Sequence, residues 1–274
     1  MSIITLTTDY GLKDHFVGAL KGKILTEFPE AQVIDISHDI DPFNIHEATY
    51  IIRSSYASFP KGTVHLIGVD IEISKETAEH VAIQWNDHFF ICADNGILSM
   101  LTDKIIPQKM VAINIHDRLP SDASELDIFK TVAIHLSKGG LLNVIGKEIT
   151  SLKEVTDLKP TVTENQLKGY VIYSDHFGNV VTNITKKMFL EHSRGRAYEI
   201  RFKNRFIKSI FAKYSDVGKD RNTSLKDLES EKLAIFNDAD FLEIAIYKSN
   251  PKNFGSASSL LGLSFRDTVT IDFF

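Results

Sequence analysis

The sequence predicts an α/β domain followed by an all-β domain, on three observations. Up to about Ile145, strand-like runs alternate with helical patterns. Beyond Gly169 the helical patterns nearly vanish and short alternating strands take over. Between the two, the composition turns to Lys, Glu and Thr with one Pro. Strands alternating with helices imply a mostly parallel sheet covered by helices. A run of short strands implies an antiparallel, barrel-like sheet. The domains are therefore expected at 1–145 and 169–274, joined by a connection over 146–168 with little core of its own.

In the first domain, strands are expected at Ile3–Thr7, Val33–Ile36, Thr63–Val69, Val81–Trp85, Phe89–Cys92 and Val111–Ile115. A helix beginning near Asp14, a good N-cap type, carries Phe16, Leu20, Ile24 and Phe28 on one stripe and stops at Pro29. A second runs from Ile45 to Phe59, with Ala48, Ile52 and Tyr56 on one face and Pro60 beyond it. A third covers Asp127 to Leu136 and is closed by Gly139-Gly140. In the second domain, strands are expected at Tyr170–Tyr173, Val180–Ile184, Tyr198–Phe202, Phe206–Phe211, Lys232–Phe236, Phe241–Ile246 and Thr268–Phe273. One helix near Ser256–Leu263 interrupts them, and the polar stretch 216–231 reads as a mobile loop.

The composition, with 43% hydrophobic and 24% charged residues, is that of a soluble globular protein. A net charge of −5 argues against a general nucleic-acid or anionic-membrane surface. No apolar stretch approaches the ~20 residues of a membrane span, and no signal-peptide pattern opens the chain, so a cytoplasmic location is expected. The single Cys92 lies in an apolar run and reads as a buried thiol. His38 and His46 flank Asp39 and Asp41 without a metal-ligand spacing, which favours a solvated turn and no metal site.

Two acidic turns carry the chemistry. The first is Thr7-Thr8-Asp9-Tyr10-Gly11 with Asp14; the second is Ser174-Asp175-His176-Phe177-Gly178-Asn179. Each follows a strand-like run and includes a glycine, which lets backbone approach a ligand closely. An Asp at the carboxyl end of a first α/β strand is placed to accept hydrogen bonds from a ribose diol. The second turn offers an aromatic face, an acid and an amide, which suit a purine and an ammonium group. Simpler roles exist for each: Asp14 as a helix cap, Asp9 and Asp175 as turn residues, Phe43 and Phe177 as core.

Together with Asp35–Ala48, Phe59–Asp70, Ala93–Ser99 and Phe241–Ile246, these segments make the chain resemble the S-adenosylmethionine (SAM) hydroxide adenosyltransferases, a family that also contains SAM-dependent fluorinases and chlorinases. The resemblance implies that Asp9 holds the ribose and that Asp14 and Asp175 lie near the methionine ammonium. It places Phe177 and Asn179 at the adenine, and Phe43 beside the ribose. It further implies a homotrimer with active sites between subunits. The implied enzyme is a SAM hydrolase forming adenosine and methionine, with no cofactor besides SAM as substrate. The alternatives are a catalytically degenerate SAM- or adenosine-binding protein and a hydrolase of another 5′-substituted adenosine.

The nucleophile end departs from the family. Hydrolysing members carry an Asp in Val-Asp-Pro-Gly-Val-Gly, an Arg shortly after, and a His in Thr-Phe-His-Gly-Arg-Asp. Here Asp70 remains, in Val69-Asp70-Ile71-Glu72-Ile73-Ser74, but Ser124 stands for the His and Glu125 for the Gly. His80 is the nearest basic side chain to the missing Arg. The candidate water-handling set is thus Asp70, Ser124, Glu125 and His80. A halide pocket is disfavoured because Glu125 would repel the anion.

Overall fold

The computed structural model describes residues 2–75, 77, 79–156, 158–218 and 228–274, and the chain divides into two compact units after Thr156. The N-terminal unit contains strands β1 (Ile3–Thr8), β2 (Gln32–Ser37), β3 (Val64–Gly68), β4 (His80–Trp85), β5 (His88–Ala93), β6 (Lys109–Ile113) and β7 (Gly146–Glu148). Its helices are α1 (Phe16–Glu27), α2 (Ile45–Ser55), α3 (Ile97–Leu101), α4 (Glu125–Ser137) and α5 (Leu142–Ile145). The strand order is β2-β1-β3-β5-β4-β6-β7. The four strands from β2 to β5 are mutually parallel, β4 and β7 run the other way, and β6 runs with the majority.

Strand alternation explains the two covered faces. Val64 and Leu66 of β3, Ala82 of β4 and Ile91 of β5 join a core with Leu20 and Ile24 of α1 and Phe129 and Val132 of α4. Ile67, Val81, Ile83, Phe90 and Cys92 point the other way, against Ala48 and Ile52 of α2 and Leu98 of α3. The β4–β5 hairpin turns through Asn86 and Asp87, both left-handed (φ 50° and 63°), as a tight two-residue turn requires. β1 lies between β2, reached through α1, and β3, reached by crossing back. It is therefore the topological switch point, where open α/β sheets bind ligands beyond the strand carboxyl ends.

Asp14 is not the cap of α1. His15 occupies the cap position in helical conformation, without a side-chain cap bond, and Asp14 is an exposed loop residue. Phe16, expected on the buried stripe, is 48% exposed, while Val17 takes its place in the interior. His38 is buried rather than solvated: its Nδ1 lies 2.7 Å from Thr8 Oγ1 and its Nε2 3.0 Å from Asp35.

The C-terminal unit is built from β8 (Thr161–Val162), β9 (Gln166–Ser174), β10 (Val180–Thr185), β11 (Tyr198–Phe202), β12 (Arg205–Ile207), β13 (Ile210–Phe211), β14 (Lys232–Phe236), β15 (Phe241–Ile246) and β16 (Thr268–Phe273). Two helices, α6 (Lys186–Ser193) and α7 (Ala257–Leu261), accompany them. The sheet runs β12-β11-β16-β9-β10-β15-β14-β13, with β8 beside β9, and is antiparallel except at β13–β14. Its two end strands are successive in sequence, so the sheet curls back on itself as a nearly closed barrel. The single strand expected over Phe206–Phe211 is thus two strands with a break at Lys208-Ser209. The stretch read as a connection contributes β7 to the first sheet and β8 to the second. Of the expected loop over 216–231, residues 219–227 lie outside the described residues; Tyr214–Gly218 form a 3₁₀ turn and Leu228 is buried.

Candidate functional site

Thr8 and Gly68 pair in register at the ends of β1 and β3, which brings the residues that follow them together. The Asp9 carboxylate accepts the backbone N–H of Phe43 at 3.0 Å and that of Asp70 at 3.4 Å. Both bonds fall on Oδ2, leaving Oδ1 for a ligand. The two residues it holds are both left-handed, Phe43 at φ 64° and Asp70 at φ 48°. Phe43 is 72% exposed, so it is not a core residue. Asp is among the few side chains that tolerate this conformation, but glycine would do so without strain.

The turn at Asp70 is gripped from other sides as well. Asn95, buried at the end of the β5 turn, donates its amide to the carbonyls of Val69 and Asp70, each at 3.0 Å. The Ile71 carbonyl lies 2.8 Å from His80 Nε2. A carbonyl only accepts, so His80 is protonated at Nε2, and its buried Nδ1 has no partner among the described residues. Burial holds the His80 pKa below the ordinary histidine value; the Ile71 bond and Glu125 oppose that, and His116 adds to it. The ring packs edge-on against Phe129 of α4, 4.8 Å between centroids.

Glu125 and Ser124 sit at the start of α4. Ser124 is the cap: its hydroxyl accepts the Asp127 N–H, and Asp127 bonds back to the Ser124 N–H. This capping box occupies the serine. Glu125, half-buried, lines a cavity of about 500 Å³ with Tyr10, Phe16, Leu20, Ile71 and Leu126. Burial, then Asp9, then Glu125 push the Tyr10 hydroxyl up to about 12, so it remains a donor at neutral pH. Of the predicted residues, Asp9, Phe43 and Asp70 are thus brought together, and Glu125 and His80 share one electrostatic environment. Ser124 lines the cavity beside Glu125, whereas Asp9, Asp14, Phe43, Asp70 and His80 do not.

In the C-terminal unit Asp175, Phe177 and Asn179 share a cavity of about 300 Å³ with Tyr214, Ile246 and Tyr247. Asp175 accepts the Asn179 backbone N–H at 2.8 Å and its side-chain amide at 3.0 Å, a closed local turn that leaves the Asn179 side-chain Oδ1 for a ligand donor. Gly178 is required: its φ is 71°, and a Cβ there would come within 2.2 Å of Ser256 Oγ. Phe177 is 63% exposed, a free aromatic face rather than core. Behind the turn, Tyr214 donates to the buried Glu243, whose other oxygen accepts the Asn237 amide at 3.3 Å. Burial, aided by Asp175, raises the Glu243 pKa against those two hydrogen bonds, and burial together with the hydrogen bond to Glu243 raises that of Tyr214. Asn95, Tyr10, Tyr214 and Glu243 were not singled out by sequence reasoning. Asn95 had a signal, the Ala-Asp-Asn-Gly turn, which reads alone as a loop.

Fold and site define a two-unit protein: an α/β unit with paired carboxylates at its switch point, and a β-barrel unit with an aromatic–amide cavity. A family model of the SAM hydroxide adenosyltransferase N-terminal domain matches residues 4–146, and one of the C-terminal domain matches 169–270. The chain belongs to the SAM hydroxide adenosyltransferase family. It is 29% identical over 280 residues to a protein of Methanocaldococcus jannaschii named (R)-S-adenosyl-L-methionine hydrolase, covering 99% of this chain and 96% of that one. A fluorinase of Actinoplanes is 24% identical over 212 residues, covering 66% and 71%. An uncharacterized conserved protein of Thermotoga maritima has the same fold, with TM-score 0.82, 28% identity and coverage of 98% and 99%.

Proposed function

We propose that this protein is an enzyme acting on SAM, and that it hydrolyses SAM to adenosine and L-methionine through attack of water at the ribose C5′. The names of its relatives support a SAM-utilising activity. The observation that favours hydrolysis is Asp70, a carboxylate held left-handed beside the ribose candidate Asp9, with Glu125 near the same turn. Water attacks C5′ as the C–S bond breaks, methionine leaves as a neutral thioether, and the water proton passes to a carboxylate and then to solvent. Leaving-group protonation is not needed, so the enzyme needs a positioned water and a dry, gripping site. Carboxylates bind the cationic substrate in its ground state. Only one that also meets the water, whose charge turns positive as it attacks, lowers the barrier.

In this reading Asp9 Oδ1 takes the ribose diol, Asp175 the ammonium, Phe177 and Asn179 the adenine, and Asp70 and Glu125 the water. Ser124 is left to cap α4. The family resemblance supports a homotrimer with each site shared by two subunits, and the reaction as written uses no metal or organic cofactor. Among the described residues no helix is long and apolar enough to cross a membrane. The test is incubation of the purified protein with SAM, with adenosine and methionine followed by chromatography. Formation of both at equal rates supports the reading. Tight SAM binding without adenosine would instead support a degenerate binding protein, for which the occupied Ser124 is the favouring observation.

A further inference from the structure

We infer that Asn95 is a positioning residue for the water-handling carboxylate, acting by holding both peptide groups that flank the Asp70 Cα. This inference rests on the hydrolytic reading above. The two carbonyls that Asn95 binds, Val69 and Asp70, belong to the peptide units before and after Asp70. Fixing both planes fixes φ and ψ of that residue, and hence the direction of its Cβ. Asp9 holds the intervening N–H and His80 the Ile71 carbonyl, so the left-handed backbone is held at four groups between Val69 and Ile71. A left-handed non-glycine residue persists only where its surroundings over-determine it. Glycine would occupy position 70 at no cost, so an aspartate there argues that its side chain is what the turn presents.

Asn95 is itself well determined. Its Oδ1 accepts the Ile97 N–H at 3.3 Å at the start of α3 and faces Cys92 Sγ at 3.9 Å. The opposite amide orientation would set that oxygen against two carbonyls, so the donors are fixed on the Asp70 side. Gly96 lets the chain turn there: its φ is 109°, and a Cβ would lie 2.1 Å from Val155 Cγ2. The link therefore runs from the β5 turn to the β3 turn, across the parallel pairing of those two strands.

The experiment compares wild type, Asn95→Ala, Asn95→Asp, Asp70→Asn and the Asn95→Ala/Asp70→Asn double variant. SAM turnover, adenosine affinity and hydrogen exchange of the amides at 69–72 are measured on each. Asn95→Ala is expected to lower kcat about 10- to 100-fold, the scale of a misplaced catalytic group. KM and adenosine affinity should stay within about twofold, and exchange should accelerate at 69–72, and elsewhere only at Ile97, whose N–H loses its side-chain acceptor. In the Asp70→Asn background the same substitution should cost nothing more, because both act through one carboxylate. Additive losses, or unchanged exchange at 69–72, overturn the inference. If wild type forms no adenosine, the hydrolytic reading fails by itself and the exchange measurement alone judges Asn95. Asn95→Asp keeps the side-chain volume and the Ile97 acceptor; global unfolding of both Asn95 variants would show a purely structural role and likewise overturn the inference.

Discussion

Asp70 and Asp175 are both turn carboxylates that follow a strand, yet they are held in opposite ways. Asp175 is closed onto Asn179, four residues on, through two hydrogen bonds within one turn. Asp70 is held by Asp9, 61 residues away, and by Asn95, 25 residues away, in a left-handed conformation that it would not adopt alone. The local turn suits a binding contact, because its geometry survives small movements of its neighbours. The long-range turn suits chemistry, because a water-handling group must be fixed more closely than a turn alone can fix it. The two units differ also in their buried ionisable groups: four imidazoles, with Lys130 and Cys92, among the described residues of the first, and Glu243 with Tyr247 in the second.

Asp70→Asn should have the greatest effect. If Asp70 handles water, SAM turnover should fall by roughly 10²–10⁴ while adenosine affinity holds, as for loss of a general base. Equal rates would move the chemistry to Glu125 or His80. The next largest effect is on acid stability. Burial, with a smaller push from His88, lowers the His65 pKa from 6.5 to about 3. Below pH 6.5 the unfolded chain takes up a proton that the folded one refuses, so this contribution is full above 6.5 and drains away towards pH 3. At about 1.4 kcal/mol per pH unit the loss is of order 5 kcal/mol. The raised Glu243 has the opposite sign, favouring the folded C-terminal unit as pH falls through its folded pKa. Glu47 and Asp94 of the N-terminal unit are raised as well, but there His80 and His88 are lowered along with His65.

The N-terminal unit should therefore unfold first in acid. Trp85, the one tryptophan, lies in β4 and reports on that unit by fluorescence. A Trp85 transition no earlier than the loss of far-ultraviolet dichroism would contradict this, and His65→Leu should flatten the acid slope. Asp9→Ala should weaken adenosine binding by roughly 1.5–3 kcal/mol, the range for hydrogen bonds to a charged group, with the fold intact. Unchanged affinity in a calorimeter would remove Asp9 from the site. The smallest effect belongs to Ser124→Ala, where loss of the α4 cap should cost about 1 kcal/mol in urea unfolding. SAM turnover should be unaltered, and a tenfold fall would return Ser124 to the chemistry.

What could be read from sequence was whatever short-range pattern decides. Periodicity located the six strands up to Ile113, and alternation located most of the barrel strands, several at their observed ends. Asp175, Phe177 and Asn179 were legible as a group because one turn of six residues builds them into one wall. The same reasoning cast Asp14 as a helix cap and Phe16 as buried, and it missed α3 and α6, because caps and short helices are chosen by what they pack against. Asp70 could be named from sequence, but nothing nearby in the chain says that it is left-handed. That is settled by a strand pairing that sets Gly68 beside Thr8 and by an amide reaching across from the β5 turn. Short-range backbone preferences are written in neighbouring residues, whereas the direction of a side chain in an over-determined turn depends on hydrogen bonds that exist only once distant strands have paired.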